Sequence, residues 1–253
     1  MKLISAKNYS DMSQVAASFL LGKIKNTDRL TLGLATGGTP IQTYNFLIKD
    51  HKENNTSYQH VTTFNLDEYV GVATNDPRSY HHYMDDMLFT SIDIPKTQTH
   101  IPDGVAGNLE AECDRYEQKI AASGGIDVQL LGLGSNGHIG FNEPGTAFDT
   151  KTHVVDLTEA TRKANARFFD HIDEVPKQAI TMGIATIMRS KEILLLVSGE
   201  RKSNALAQLL EGKVDPAFPA SILREHPNVS IIADHDALGD INVPVRKGEI
   251  EDD

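Results

Sequence analysis

The chain has a single cysteine, no dense cluster of Lys and Arg, no low-complexity block and no apolar run long enough for a membrane. Each shortage removes a class of function. Cys113, in "LEAECDRYEQKI", has no possible intrachain partner, which excludes a disulfide framework and suits a reducing compartment. The longest strongly apolar run, "ILLLV" at 193–197, is far shorter than the roughly 20 residues of a membrane helix. No basic region followed by an apolar stretch opens the chain, so the expectation is a cytoplasmic protein. Asp and Glu number 35 against 24 Lys and Arg, for a formal net charge of −11. A surface of that sign without a basic stripe does not follow a nucleic-acid backbone. An anionic ligand would have to be held by a few local cations and backbone N–H groups. With no linker in 253 residues and 40% apolar content, residues 1–253 read as one domain with one large core.

What is present is alternation. Short β-rich apolar runs occur at 30–35, 60–66, 127–133, 153–157, 192–197 and 228–233, and stretches of helical period at 11–25, 40–51, 78–89, 108–122, 159–169 and 200–212. Runs apolar at successive positions suit strands buried on both faces. The expected fold class is α/β, a three-layer α/β/α sandwich on a mainly parallel sheet. In such sheets ligands bind beyond the carboxyl ends of the strands, so the segments just after strands carry the chemistry.

One such segment, "GLGSNGHIGFNEPG" at 132–145, spaces Gly132, Gly134 and Gly137 like a dinucleotide-binding loop. That motif needs a helix to begin inside the loop and face the pyrophosphate. Here Gly137 leads into "HIGFNEPGTAFDT", which has no helical period, and the dinucleotide reading fails. The loop offers instead Asn136, His138, Asn142 and Glu143. A histidine with an acid nearby is a general acid/base candidate, or else a loop histidine bonded only for structure. "LATGGTP" at 34–40 does feed a helix, with Thr39 placed as N-cap and Pro40 as first helical residue. Such a turn presents N–H groups and a favourable dipole to one phosphate, or is simply a tight turn with an ordinary cap.

"FNLDEYVG" at 64–71 ends a strand in two acids, Asp67 and Glu68, which point opposite ways if extended; local grounds do not separate them. Cations for an anion are available at Arg167 in "NARFFD" and Lys202 in "SGERKSNAL". The His81, His82, Asp85 and Asp86 cluster reads as a solvated helix face because no further ligands complete a metal site. "ADHDALGD" at 233–240 reads as a strand end and turn.

"LATGGTP", "TFNLDEYVG", "GHIGFNEPG" and "NARFFD", with "GERKSNAL" in support, closely resemble the glucosamine-6-phosphate deaminase family in order and approximate spacing, from "MKLI" to about residue 235. The resemblance implies a Rossmann-like sandwich without a dinucleotide. It also implies conversion of glucosamine 6-phosphate and water into fructose 6-phosphate and ammonia, with no metal or organic cofactor. By position, Asp67 matches the base that removes the C2 proton, and His138 the residue that shuttles a proton from the anomeric hydroxyl to the ring oxygen. Glu143 then supports His138. Asn136 stands where some members carry aspartate, which leaves Glu143 as the expected electrostatic partner. Gly37, Gly38 and Thr39 would cradle the phosphate, with Arg167 and Lys202 completing its neutralisation.

Some members of that family are hexamers activated by N-acetylglucosamine 6-phosphate through a basic pair after the "NEP" loop. This chain has His153 and Val155 there, so such activation is expected to be absent, and the chain to act as a monomer or homo-oligomer. Two rivals share the fold: a 6-phosphogluconolactonase, which needs no C2 base, and a non-catalytic sugar-phosphate sensor, which would carry a DNA-binding segment.

Overall fold

The computed structural model describes residues 1–166, 169, 171–239, 241 and 246–247. In chain order the elements are β1 (Lys2–Ala6), α1 (Tyr9–Asn26), β2 (Leu30–Leu34), α2 (Ile41–Asn54), β3 (Val61–Asn65), β4 (Asp67–Tyr69), α3 (Tyr80–Met87), β5 (Thr99–His100), α4 (Leu109–Ala122) and β6 (Val128–Gly132). They continue with β7 (His153–Asp156), α5 (Glu159–Asn165), β8 (Gln178–Thr181), α6 (Ile184–Met188), β9 (Glu192–Val197), α7 (Ser203–Glu211), β10 (Val229–Asp234), α8 (His235–Leu238) and β11 (Arg246–Lys247).

Eight strands form one parallel sheet in the order β11-β1-β10-β9-β6-β2-β3-β5. Each of its central strands feeds two cores, because side chains alternate across the sheet. In β9, Ile193, Leu195 and Val197 pack with α4, α6, α7 and α8, while Leu194 and Leu196 pack with α1, α2 and α3. That double burial is why "ILLLV" is apolar at every position, and it gives the three-layer sandwich.

The chain leaves β2 toward β3 and β5, then returns to place β6 on the other side of β2. The loops after β2 and β6 therefore part company, α2 going to one face and α6 to the other, and open a crevice between them. Beyond the carboxyl end of β3, β4 enters a second sheet, antiparallel and ordered β4-β8-β7, with Asp67 paired to Thr181. The run at 153–157 belongs to this small sheet, which reaches the crevice through Asp67. No helix among the described residues is long and apolar enough to cross a membrane.

Candidate active site

The crevice is a cleft of about 670 Å³ lined by residues from four post-strand loops, among them Gly37, Gly38, Thr39, Asp67, His138 and Lys202. Of the residues expected from sequence, Arg167 lies outside the described residues. Asn136 and Glu143 stand immediately behind His138.

His138 is held through its Nδ1, 2.7 Å from Asn136 Oδ1. Asn136 in turn donates from Nδ2 to Glu143 Oε2 at 2.8 Å. A carboxylate only accepts, so the Asn136 amide must turn its oxygen to the histidine, and Nδ1 must carry the proton. Nε2 is then left as the basic nitrogen. Burial, reinforced by the Lys202 ammonium and opposed by Glu143, lowers the His138 pKa and keeps the ring neutral. Glu143 sits 3.9 Å from Nδ1, so the hydrogen bond comes from Asn136 and the charge from the carboxylate behind it. The amide stands between the two, so Asn136 orients the ring and Glu143 acts on it through charge. Glu143 is fixed from its other oxygen by the Thr161 hydroxyl, and Thr158 lies 3.4 Å away.

Gly134 explains much of the "GLGSNGHIG" spacing. A Cβ there would lie 2.4 Å from the His138 ring, so only glycine lets the imidazole fold over the loop. The next segment is stitched to β8: Phe141 N–H donates to Thr181 Oγ1 at 3.1 Å, and Asn142 Nδ2 to Met182 O at 2.9 Å.

The two acids at 67 and 68 separate cleanly. Glu68 is 1% exposed and turns to α3, accepting from Tyr80 N–H at 2.9 Å, His81 N–H at 3.2 Å and His81 Nδ1 at 2.9 Å. His81 is thus a partner of a buried carboxylate rather than part of a purely solvated face. Asp67 lines the cleft, and burial together with the Glu68 carboxylate beside it pushes its pKa up to about 8. A carboxylate so destabilised is a strong base once it loses its proton.

The helix ends differ in how they are capped. α1, α3, α4 and α5 carry side-chain N-caps from Asn8, Ser79, Asn108 and Thr158. α2, α6 and α7 have none, and the segments that lead into α2 and α7 line the cleft. Thr39 does not cap α2; Pro40 takes the N-cap position in an αR conformation, and the only side-chain partner of the first turn among the described residues is the Tyr9 hydroxyl, which accepts from Gln42 N–H at 3.3 Å. Gly37, at φ +92°, turns the chain so that the loop's N–H groups face one region, a conformation costly for any residue with a Cβ. Lys202 stands at the N-cap of α7 rather than inside it, and burial lowers its pKa, a penalty that an anion beside it would offset.

Sequence reasoning missed Thr36, Ser135, Ser198 and Arg201, which also line the cleft. Arg201 had a signal, since it adjoins Lys202 in the same strand-to-helix turn. Among the described residues no group of His, Cys, Asp and Glu could hold a metal ion.

This geometry can be set beside known proteins. A family model described as glucosamine-6-phosphate isomerases/6-phosphogluconolactonase matches residues 7–231. The chain belongs to that family. Within it, the chain is 61% identical to a glucosamine-6-phosphate deaminase of Shouchella clausii, over 94% of this chain and 96% of that one. It is 53% identical to glucosamine-6-phosphate deaminase 1 of Bacillus subtilis, over 94% and 98%. The solved structure of a monomeric glucosamine-6-phosphate deaminase superposes with a TM-score of 0.93 at 52% identity, covering 94% of this chain and 99% of that one. A 6-phosphogluconolactonase from Trypanosoma cruzi shares the fold, with a TM-score of 0.78 at 22% identity over 96% and 97%.

Proposed function

We propose that this protein is an enzyme that converts glucosamine 6-phosphate and water into fructose 6-phosphate and ammonia, acting in amino-sugar catabolism in the cytoplasm with residues 1–253 as one domain. The observation that carries this reading is the pairing, in one cleft, of a neutral imidazole with a free basic nitrogen and a desolvated carboxyl with a pKa of about 8. A lactonase needs the first and has no use for the second.

The chemistry assigns each group one task. With its phosphate on the 36–39 loop at the head of α2, beside Lys202, the sugar is anchored at the end remote from the reacting carbons. His138 Nε2 takes the proton of the anomeric hydroxyl and returns it to the ring oxygen, which opens the ring to the aldehyde. The C2 proton, now acidic beside a carbonyl, passes to Asp67; its electron pair forms C1=C2 while the carbonyl pair moves to O1, which takes a proton from the substrate's 2-ammonium group, giving the enolamine. Return of a proton to C1 gives the C2 imine. Water adds to that carbon and ammonia departs, leaving the ketone of fructose 6-phosphate. Arg167 is retained as a proposed second cation for the phosphate. Every step is a proton transfer or an addition to an imine, for which these side chains suffice.

The decisive assay supplies the enzyme with glucosamine 6-phosphate and, separately, with 6-phosphogluconolactone. Ammonia and fructose 6-phosphate in equal amounts are expected from the first. Lactone hydrolysis without ammonia release would overturn the reading.

A further inference from the structure

Three tyrosine hydroxyls from three helices converge on the loop after β2. Tyr44 of α2 donates to Ala35 O at 2.6 Å, Tyr83 of α3 to Gly37 O at 2.6 Å, and Tyr9 of α1 to Gly38 O at 2.8 Å. Tyr9 Oη also accepts from Gln42 N–H at 3.3 Å, so the same hydroxyl serves the loop and the first turn of α2.

The loop itself, "ATGGT" at 35–39, has only small side chains and a left-handed glycine, and cannot hold one conformation unaided. In a trans peptide the C=O and the following N–H point in opposite directions, so a hydroxyl that fixes the first also fixes the second. The carbonyls of Ala35, Gly37 and Gly38 belong to the peptide groups whose N–H groups are those of Thr36, Gly38 and Thr39. All three residues line the cleft, and among the described residues no protein group accepts from those N–H groups. A carbonyl turned toward an anion would repel it, whereas an amide whose oxygen is already bonded is a more polarised donor.

We propose that Tyr9, Tyr44 and Tyr83 are positioning residues for anion recognition: they clamp three loop carbonyls so that the N–H groups of Thr36, Gly38 and Thr39 stand ready for the substrate's phosphate. This rests on the reading of the loop as the phosphate site. A tyrosine that merely filled space here would lose nothing on becoming phenylalanine.

Tyr9→Phe, Tyr83→Phe and the double variant each remove only oxygen, at half-buried positions; Tyr44 is fully buried and is left intact. The probe is inorganic phosphate as a competitive inhibitor, with KM and kcat for glucosamine 6-phosphate, and Lys202→Ala runs alongside. Each single variant is expected to raise the phosphate inhibition constant and KM by roughly 3- to 10-fold, and the double variant by more, with kcat within about 2-fold. If the tyrosine variants bind phosphate like wild type while Lys202→Ala loses affinity, the clamp is wrong and the phosphate site stands. If phosphate does not compete in the wild type, or Lys202→Ala leaves it unchanged, the phosphate site is wrong and the clamp falls with it. A lowered thermal midpoint with an unchanged inhibition constant would mean that the hydroxyls serve only stability, which also overturns the proposal.

Discussion

Two glycine-bearing loops leave neighbouring strands, β2 and β6, and meet across one cleft, yet they are built for opposite work. The loop at 35–39 runs into α2 and offers backbone: bare N–H groups, an uncapped helix and no side chain longer than threonine. The loop at 132–145 never becomes a helix and offers side chains, with His138, Asn136 and Glu143 strung in one hydrogen-bonded row. The role of a glycine turn is therefore decided by the backbone conformation it leads into. A helix beginning at once suits the proposed anion site, because the N–H groups of Thr36, Gly38 and Thr39 that lead into it have no protein acceptor among the described residues. An irregular continuation keeps its backbone bonded to itself and to β8, and its glycine at 134 makes room for the imidazole of His138.

The comparison breaks most visibly at Gly134. Gly134→Ala drives a methyl into the His138 ring and is expected to lower kcat by roughly 10²- to 10⁴-fold, the usual worth of a positioned acid/base, with the phosphate inhibition constant unchanged. Steady-state kinetics with inorganic phosphate as inhibitor checks both halves. Gly37→Ala should do the reverse. Nothing lies within 4 Å of its Cβ, so the penalty is the left-handed backbone alone, about 1–2 kcal/mol, read as a roughly tenfold rise in KM with kcat little changed.

Asn136→Asp sharpens the picture of the second loop. A carboxylate against Nδ1 favours imidazolium, so the folded His138 pKa rises, and the neutral shuttle is lost at a higher pH as the solution is acidified. Because Asp67, at about 8, sets the acid limb of the rate profile, the shift is read directly as an upward move of the His138 imidazole titration followed by NMR. Glu68→Gln moves the acid limb of the rate profile downward in pH: removing the like charge beside Asp67 lowers that pKa, so the base survives to lower pH. Because the sugar's own ionisation is common to both enzymes, the difference between their kcat/KM profiles belongs to the protein. The smallest effect is none. With His153 and Val155 in place of a basic pair, rate curves are expected to be hyperbolic, and N-acetylglucosamine 6-phosphate to leave them so.

The sheet strands that are apolar throughout and the helices with strong period were legible in the sequence, since their pattern is a direct record of burial. β1, β4 and β8 were not, because "KLISA", "DEY" and "QAIT" are short and their strand character comes from the neighbours they pair with. The cleft's chemistry was legible as residue types at strand ends. Its arrangement was not: Asp67 and Glu68 differ only in which way the chain turns them, and Thr39 before a proline looks like a cap although α2 begins without one. The tyrosine hydroxyls on the 35–38 carbonyls leave no local signal at all, since the helices that supply them are brought together only by the fold.

The central claim is that a buried aspartate, raised to a pKa of about 8, removes the C2 proton. Asp67→Asn keeps the shape and the hydrogen-bonding size of the side chain and deletes the base. Measured as ammonia released from glucosamine 6-phosphate, its kcat is expected to fall by at least about 10²-fold, with inorganic phosphate binding as in wild type. Full turnover by Asp67→Asn would contradict the account.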